Sequence, residues 1–247
     1  LASYRDPYTG LPKPSYNLWE ERFGVHTYTA ATVYAGLTAA AKFAEILGKE
    51  RGSHNFEHVA TEMQRAILKH LYNAENGTFY KAIYIDKNGK TIYDLGMDAS
   101  SAYGIYQFGV LPPDDPRIAS AMQLAKDRLT VRTSVGGIAR YEGDQYYRTV
   151  QDVPGNPWFI TTLWFAQYYC ALAKNDHDLD RVREILEWAR RNALPSGVLS
   201  EQLDPYTGAQ VSAGPLTWSH AEYIRTVVQY LRKVQSLGIA RTIPDRL

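Results

Sequence analysis

Apolar residues recur at helical spacing along most of this 247-residue chain. The stretch 26–48, HTYTAATVYAGLTAAAKFAEILG, is rich in alanine and predicts a long helix that Gly48 stops. A second helix is expected over about 54–72, with Phe56, Ala60, Met63 and Ile67 on one face. FYKAIYIDKNGKTIYDL alternates around Asn88-Gly89 and predicts a β-hairpin. Helices follow at roughly 98–108 and 116–130, the latter after PPDDP. A short strand-like segment, GGIARYEGDQYYR, leads to Asn156-Pro157, read as a helix start with proline at the first helical position. That helix runs to about Lys174, and another spans about 178–192 with Val182, Ile185, Leu186 and Ala189 at helical spacing. The last covers about 217–236, where Ser219 and Glu222 form a capping box.

About seven helices with short hairpins between them, and no alternation of strand and helix, predict an all-α architecture with long functional loops. No linker or low-complexity segment interrupts it, so a single domain over 1–247 is expected. DPYTG occurs at 6–10 and again at 204–208, and aspartate-proline with threonine-glycine favours turns at both places.

Composition then narrows the function. The net charge of +1, with both signs spread along the chain, gives no reason to expect nucleic acid or an anionic membrane as partner. No run approaches eighteen apolar residues, so no membrane span is expected. The N-terminus lacks the residue order of a signal peptide, and the first residue is Leu rather than Met, which suggests a segment removed or left out upstream. One cysteine, Cys170, excludes an internal disulfide and fits a reducing, cytoplasmic setting. It lies in the apolar run LWFAQYYCALA and is expected to be a buried structural thiol. The 19 tyrosines and 5 tryptophans supply rings with polar handles, suited to sugars and to ordinary cores alike.

HNFEH at 54–58 matches the zinc-peptidase pattern His-x-x-Glu-His. Helix geometry puts His54 and His58 opposite the apolar face, toward solvent, with no obvious third ligand, so no metal is expected. Asn76-Gly77-Thr78 reads as a turn, and the acidic NDHDLD at 175–180 lacks the glycine and distal glutamate of a calcium loop. No Gly-x-Ser-x-Gly and no phosphate loop is present. What remains is carboxylates beside aromatic residues. NLWEERFGVHTYT at 17–29 and the segment from VLSEQLDPYTG to PLTWSHAEYIR at 198–225 each carry a glutamate in a loop shortly before a helix. Between them ARYEGDQYYRTVQDVPGNPWF, 139–159, offers Arg140, Asp144, Trp158 and several tyrosines. Arginine presents a fixed fork of donors and the rings present stacking faces, which suits a sugar; loops and caps account for the same residues equally well.

Taken together, YNLWEERFGVHTYTAATVYAGL, DASSAYGIYQFGVLPPDDPRI, GGIARYEGDQYY, GNPWFITTLWFAQYY and LSEQLDPYTGAQVSAGPLTWSHAEYIR resemble glycoside hydrolase family fifteen, the group of glucoamylases, glucodextranases and related trehalases. The resemblance covers nearly the whole chain in order. It implies an (α/α)6 toroid and an inverting, exo-acting α-glucosidase that releases glucose from non-reducing ends, without a cofactor. It implies Glu20 as general acid and Glu201 as the base that activates water. Glu21, Arg140, Tyr141 and Trp158 match sugar-binding positions, Trp19 flanks the acid, and Asp144 is a looser match. The acid must keep its proton, which a neighbouring carboxylate and apolar surroundings favour in general. The substrate implied is an α-linked glucan or a glucose disaccharide, and trehalose or α-1,6 linkages are alternatives within the same family.

A complete (α/α)6 barrel has twelve helices. The chain is therefore expected to be the C-terminal part of the catalytic domain, completed by a missing N-terminal segment or a second chain. The alternative is an inactive, carbohydrate-binding or structural remnant.

Overall fold

In the computed structural model, which describes residues 2–239, the chain divides after Arg128 into two compact units. Unit 1 is built on a helical hairpin, α1 (Thr27–Ile46) and α2 (Glu50–His70). The buried stripe of α1 is small, with Ala30, Ala31, Val33, Leu37, Ala41 and Ala44, and α2 meets it with Val59, Ala60, Met63, Ala66 and Ile67. Small residues let the helices lie close, and a three-residue connection makes them antiparallel neighbours. Gly48, at φ +66, supplies the left-handed residue that ends α1. The second helix starts four residues ahead of its sequence expectation, because the chain turns into it directly from Lys49 and Ser53 N–H bonds back to the Lys49 carbonyl. His54 and His58 lie on the exposed face, His58 beside Glu62 at 3.3 Å.

The first strands of unit 1 are β1 (Ser15–Tyr16) and β2 (Phe23–His26). After α2 come the short pair β3 (Tyr72–Asn73) and β4 (Thr78–Phe79), then β5 (Ala82–Ile85) and β6 (Thr91–Asp94). Strands β1, β2, β5 and β6 form one antiparallel sheet in that order. Its β5–β6 turn is the hairpin expected around Asn88-Gly89, closed on the Asp86 carboxylate, which accepts from the N–H groups of Asn88 and Lys90. Helix α3 (Ala99–Gln107) packs against α1; a Cβ on Gly104 would stand 2.8 Å from the Tyr28 ring, so only glycine permits that approach. Helix α4 (Pro116–Leu129) opens on a proline at its first position and ends the unit.

Unit 2 surrounds α5 (Phe159–Leu172), a helix apolar on nearly every side and buried from Phe159 to Tyr168. Helices α6 (Asp180–Arg191, after a short 3-10 turn at His177–Leu179) and α7 (Thr217–Ser236) pack against it. Phe159, Leu163, Trp188, Leu199 and Leu203 form one core; Ala166, Cys170, Leu179 and Val182 form another. Strands β7 (Ile138–Ala139), β8 (Pro157–Trp158), β9 (Gln202–Leu203) and β10 (Gln210–Val211) make a second four-stranded sheet.

Two local expectations are corrected. Pro157 does not open a helix: it pairs with Ala139 as Trp158 pairs with Ile138, so sheet registry holds both and α5 begins at Phe159. Ser219 and Glu222 do not cap α7, whose cap residue is Leu216. They sit inside the helix on its buried face, where Ser219 Oγ donates to the Ser200 carbonyl and Glu222 accepts from Gln167. The two DPYTG segments are turns, as expected, and they are the same turn. Asp6 Oδ1 accepts from Tyr8 N–H, Thr9 N–H and Thr9 Oγ, and Asp204 Oδ1 from the same three groups of Tyr206 and Thr207. In both, the threonine N–H foremost draws the aspartate below the ordinary carboxylate range.

Cys170 is buried, and burial pushes its thiol upward, as a structural role requires. His26, at the junction of β2 and α1, is also buried, and loss of water lowers its proton affinity even though its Nε2 donates to the Arg22 carbonyl at 3.0 Å. The unfolded chain therefore binds more protons once pH drops below the ordinary histidine value of about 6.5, and stability falls on the acid side. Denaturant unfolding of the wild type should weaken between pH 7.5 and 5, and His26→Gln should flatten that slope; an unchanged slope would remove His26 from the account.

Candidate active site

Trp19, Glu20 and Glu21 lie in unit 1, in the loop at residues 17–22 that joins β1 to β2, and not in the first turn of a helix. Asn17 closes this loop. Its N–H donates to the Arg22 carbonyl and its own carbonyl accepts from Glu20 N–H, both at 3.0 Å. Its side-chain oxygen accepts from the N–H groups of Glu21 and Arg22. The result is a turn in which Glu20 adopts φ +59, a left-handed conformation that a residue with a Cβ takes only under constraint. Glu20 and Glu21 are exposed, while Trp19 is buried and its indole N–H donates to Asp98 at 2.9 Å.

Arg140, Tyr141, Asp144, Trp158 and Glu201 lie in unit 2. Arg140 and Asp144 are 3 % and 2 % exposed and form a two-pronged ion pair, Nε to Oδ2 at 2.8 Å and Nη2 to Oδ1 at 2.9 Å. The guanidinium is stacked among three rings, with Trp158 at 4.7 Å, Tyr141 at 4.8 Å and Tyr146 at 5.4 Å. Nη2 also donates to the Tyr141 hydroxyl at 3.3 Å. The fork expected to face sugar hydroxyls thus closes in large part on Asp144, and the aromatic cluster is arranged around the cation. Trp158 is set by its strand, which pairs with β7 on one side and with Gln202 on the other.

Glu201 precedes β9 and is half-buried. Its N–H donates to the Ala213 carbonyl, and Phe159 N–H donates to the Glu201 carbonyl. Ser212 Oγ donates to Glu201 Oε2, which Gln202 Nε2 also approaches at 3.4 Å. Both contacts fall on one carboxylate oxygen. Gln202 is itself held by Asn156 Nδ2, which donates to its Oε1 at 3.0 Å.

The structure adds residues that pattern reading passed over: Asn17, Lys81, Asp98, Tyr146 and Ser212. Asp98 carried a legible signal, since an aspartate ahead of ASSAYGIYQ is a helix cap, and it does accept from Ser100 N–H. Lys81 and Ser212 carried none. Among the described residues, no three His, Cys, Asp or Glu converge as a metal site.

Residues 10–228 match the family described as Glycosyl hydrolases family 15. The chain is 30% identical over 220 residues to an uncharacterized glycosyl hydrolase of Methanocaldococcus jannaschii, covering 85% of this chain and 33% of that protein. It is 27% identical over 244 residues to a glucoamylase of a Clostridium species, covering 86% and 33% respectively. Among solved structures, a bacterial glucoamylase complexed with acarbose superposes with a TM-score of 0.73 at 24% identity, over 87% of this chain and 35% of that one. The fold is thus the all-α glucoamylase type over the matched part, and the chain spans about a third of the length of these relatives.

Removing one partner of a buried ion pair strands the other, at about 3–5 kcal/mol. Asp144→Ala should lower the unfolding free energy by that order, and Arg140→Lys should fail to match wild type because an ammonium cannot make the two-pronged contact. Equilibrium unfolding in urea checks both; a loss under about 1 kcal/mol for Asp144→Ala would mean the pair is exposed in solution.

Proposed function

The chain belongs to glycosyl hydrolases family 15, and on that premise we propose that it forms the C-terminal portion of a glucoamylase-like (α/α)6 catalytic barrel, carrying both reacting carboxylates of an inverting, exo-acting α-glucosidase. The observation that carries the reading is Glu20, an exposed carboxylic acid held left-handed at a loop tip while its neighbour Trp19 is buried and bonded. A fold keeps a strained, solvent-facing acid in one orientation where its direction matters.

In the proposed reaction, Glu20 gives its proton to the glycosidic oxygen as the bond from that oxygen to C1 breaks. Glu201 takes a proton from a water whose oxygen attacks C1 from the opposite face, so glucose leaves as the β-anomer. Inversion calls for about 6.5–9.5 Å between two such carboxyl groups, enough for the water. The hydroxyl of Ser212 and the amide of Gln202 both engage Oε2 of Glu201, which orients Oε1 toward the water in this reading. Sugar contacts are assigned to Trp19, Glu21, Arg140, Tyr141, Asp144 and Trp158, with the Arg140–Asp144 pair holding the rings in place. The substrate is an α-linked glucan or glucose disaccharide, and a further segment or second chain completes the barrel.

Glucose release from maltotriose, isomaltose and trehalose tests this. Glu20→Gln and Glu201→Gln should each cut kcat by about a hundred- to ten-thousand-fold on the preferred substrate, the range for a general acid or base. Hydrolysis that survives either substitution would overturn the assignment. If wild type releases no glucose but still binds maltotriose, the chain is a carbohydrate-binding remnant instead.

A further inference from the structure

Lys81 and Asp98 take no part in the reaction as proposed, yet they form the buried charged cluster directly behind the acid's loop. Asp98 is 3% exposed and Lys81 8%. One oxygen of Asp98 caps α3, accepting from Ser100 N–H at 2.9 Å and from Ser100 Oγ at 2.7 Å. The other accepts the Trp19 indole N–H at 2.9 Å and faces Lys81 Nζ at 3.4 Å. Lys81 is fixed at both ends of its peptide unit: its N–H donates to Asp94 and its carbonyl accepts from Thr27. Three elements therefore meet at this carboxylate, namely the start of α3, the link between β4 and β5, and the loop bearing Glu20.

Capping a helix does not require so much buried charge, since serine or asparagine caps as well. Burying an ion pair is also a poor route to stability compared with apolar packing. What an anionic oxygen adds is a strong, directional grip on the indole N–H. Trp19 is the residue immediately before Glu20, and Asn17 ties down the residues immediately after it. Held from both sides, Glu20 cannot relax out of its left-handed conformation. We propose that Asp98, backed by Lys81, is a positioning residue that clamps Trp19 and thereby fixes the direction of the Glu20 carboxyl group. The proposal rests on Glu20 being the general acid for its catalytic meaning, and on geometry alone for the clamp.

Asp98→Asn keeps the volume and an oxygen for Ser100 but turns a donor toward the indole and the ammonium. Trp19→Phe removes the same hydrogen bond from the other side while keeping an aromatic ring. With full-length protein and maltotriose, each should lower kcat by about ten- to a hundred-fold, as misplacing a reacting group does, and Asp98→Asn, which removes no assigned sugar contact, should keep KM within about twofold. The double variant should lose no more than the larger single loss, because both cut one contact. In parallel, NMR of protein labelled at glutamate and tryptophan, recorded where the unfolding curve shows Asp98→Asn fully folded, should show the Glu20 amide and Cα resonances displaced in that variant. Multiplicative losses in the double variant, or Glu20 resonances at their wild-type positions in Asp98→Asn, would overturn the clamp. If wild type hydrolyses nothing, the reading of Glu20 as acid fails, while the Glu20 resonances still decide the clamp.

Discussion

A charge taken out of water has to be met by another charge or by fixed donors, and this constraint shapes both ends of the proposed chemistry. In unit 1 the buried carboxylate of Asp98 is met by Lys81, Ser100 and the Trp19 indole. In unit 2 the buried guanidinium of Arg140 is met by Asp144 and by the faces of Tyr141, Tyr146 and Trp158. Neither arrangement is an economical way to stabilise a core. Each is an effective way to fix side chains that the proposed reaction places next to a reacting group or a sugar. Gln167, Glu222 and Thr226 likewise form a buried polar seam between α5 and α7, where Gln167 donates to both Glu222 and Thr226.

Backbone geometry follows the same division of labour. The sheet β1-β2-β5-β6 delivers the 17–22 loop, and short β-pairing across β7, β8, β9 and β10 delivers Trp158 and the approach to Glu201. Helices supply the bulk of each unit and the strands supply direction. Strands of two residues contribute little stability of their own, so their value lies in registry: Trp158 opposite Gln202, and Gln202 opposite Val211.

Helix existence was legible from periodicity, because apolar residues at three- and four-residue spacing leave a strong imprint wherever a face is buried. Boundaries were less so. Asn156-Pro157 carries the local signature of a helix start, yet pairing with Ile138-Ala139 outweighs it, a tertiary contact no local window contains. Ser219 and Glu222 have the spacing of a capping box, yet α7 starts two residues earlier, and Ser219 bonds to the Ser200 carbonyl while Glu222 serves the α5 contact. For the site, the resemblance singled out the residues by motif, whereas their partners came from the structure. Asp98 left a trace as a cap residue, but its second oxygen, the one that grips Trp19, has no signature in sequence. Lys81 sits in an alternating stretch whose pattern predicts a strand pair, and nothing there marks a lysine that goes inward. Tyr146 lies within a visible tyrosine cluster, and only folding shows that it, too, faces Arg140.

The central proposal is that Glu20 and Glu201 serve as acid and base on opposite faces of one glycosidic bond with water between the base and C1. Following the anomeric protons by NMR during the first moments of maltotriose hydrolysis tests it most directly. The account predicts that β-glucose appears first and the α-anomer grows in only by mutarotation. Initial α-glucose would contradict it, because retention calls for a carboxylate bonded to C1 in place of an activated water.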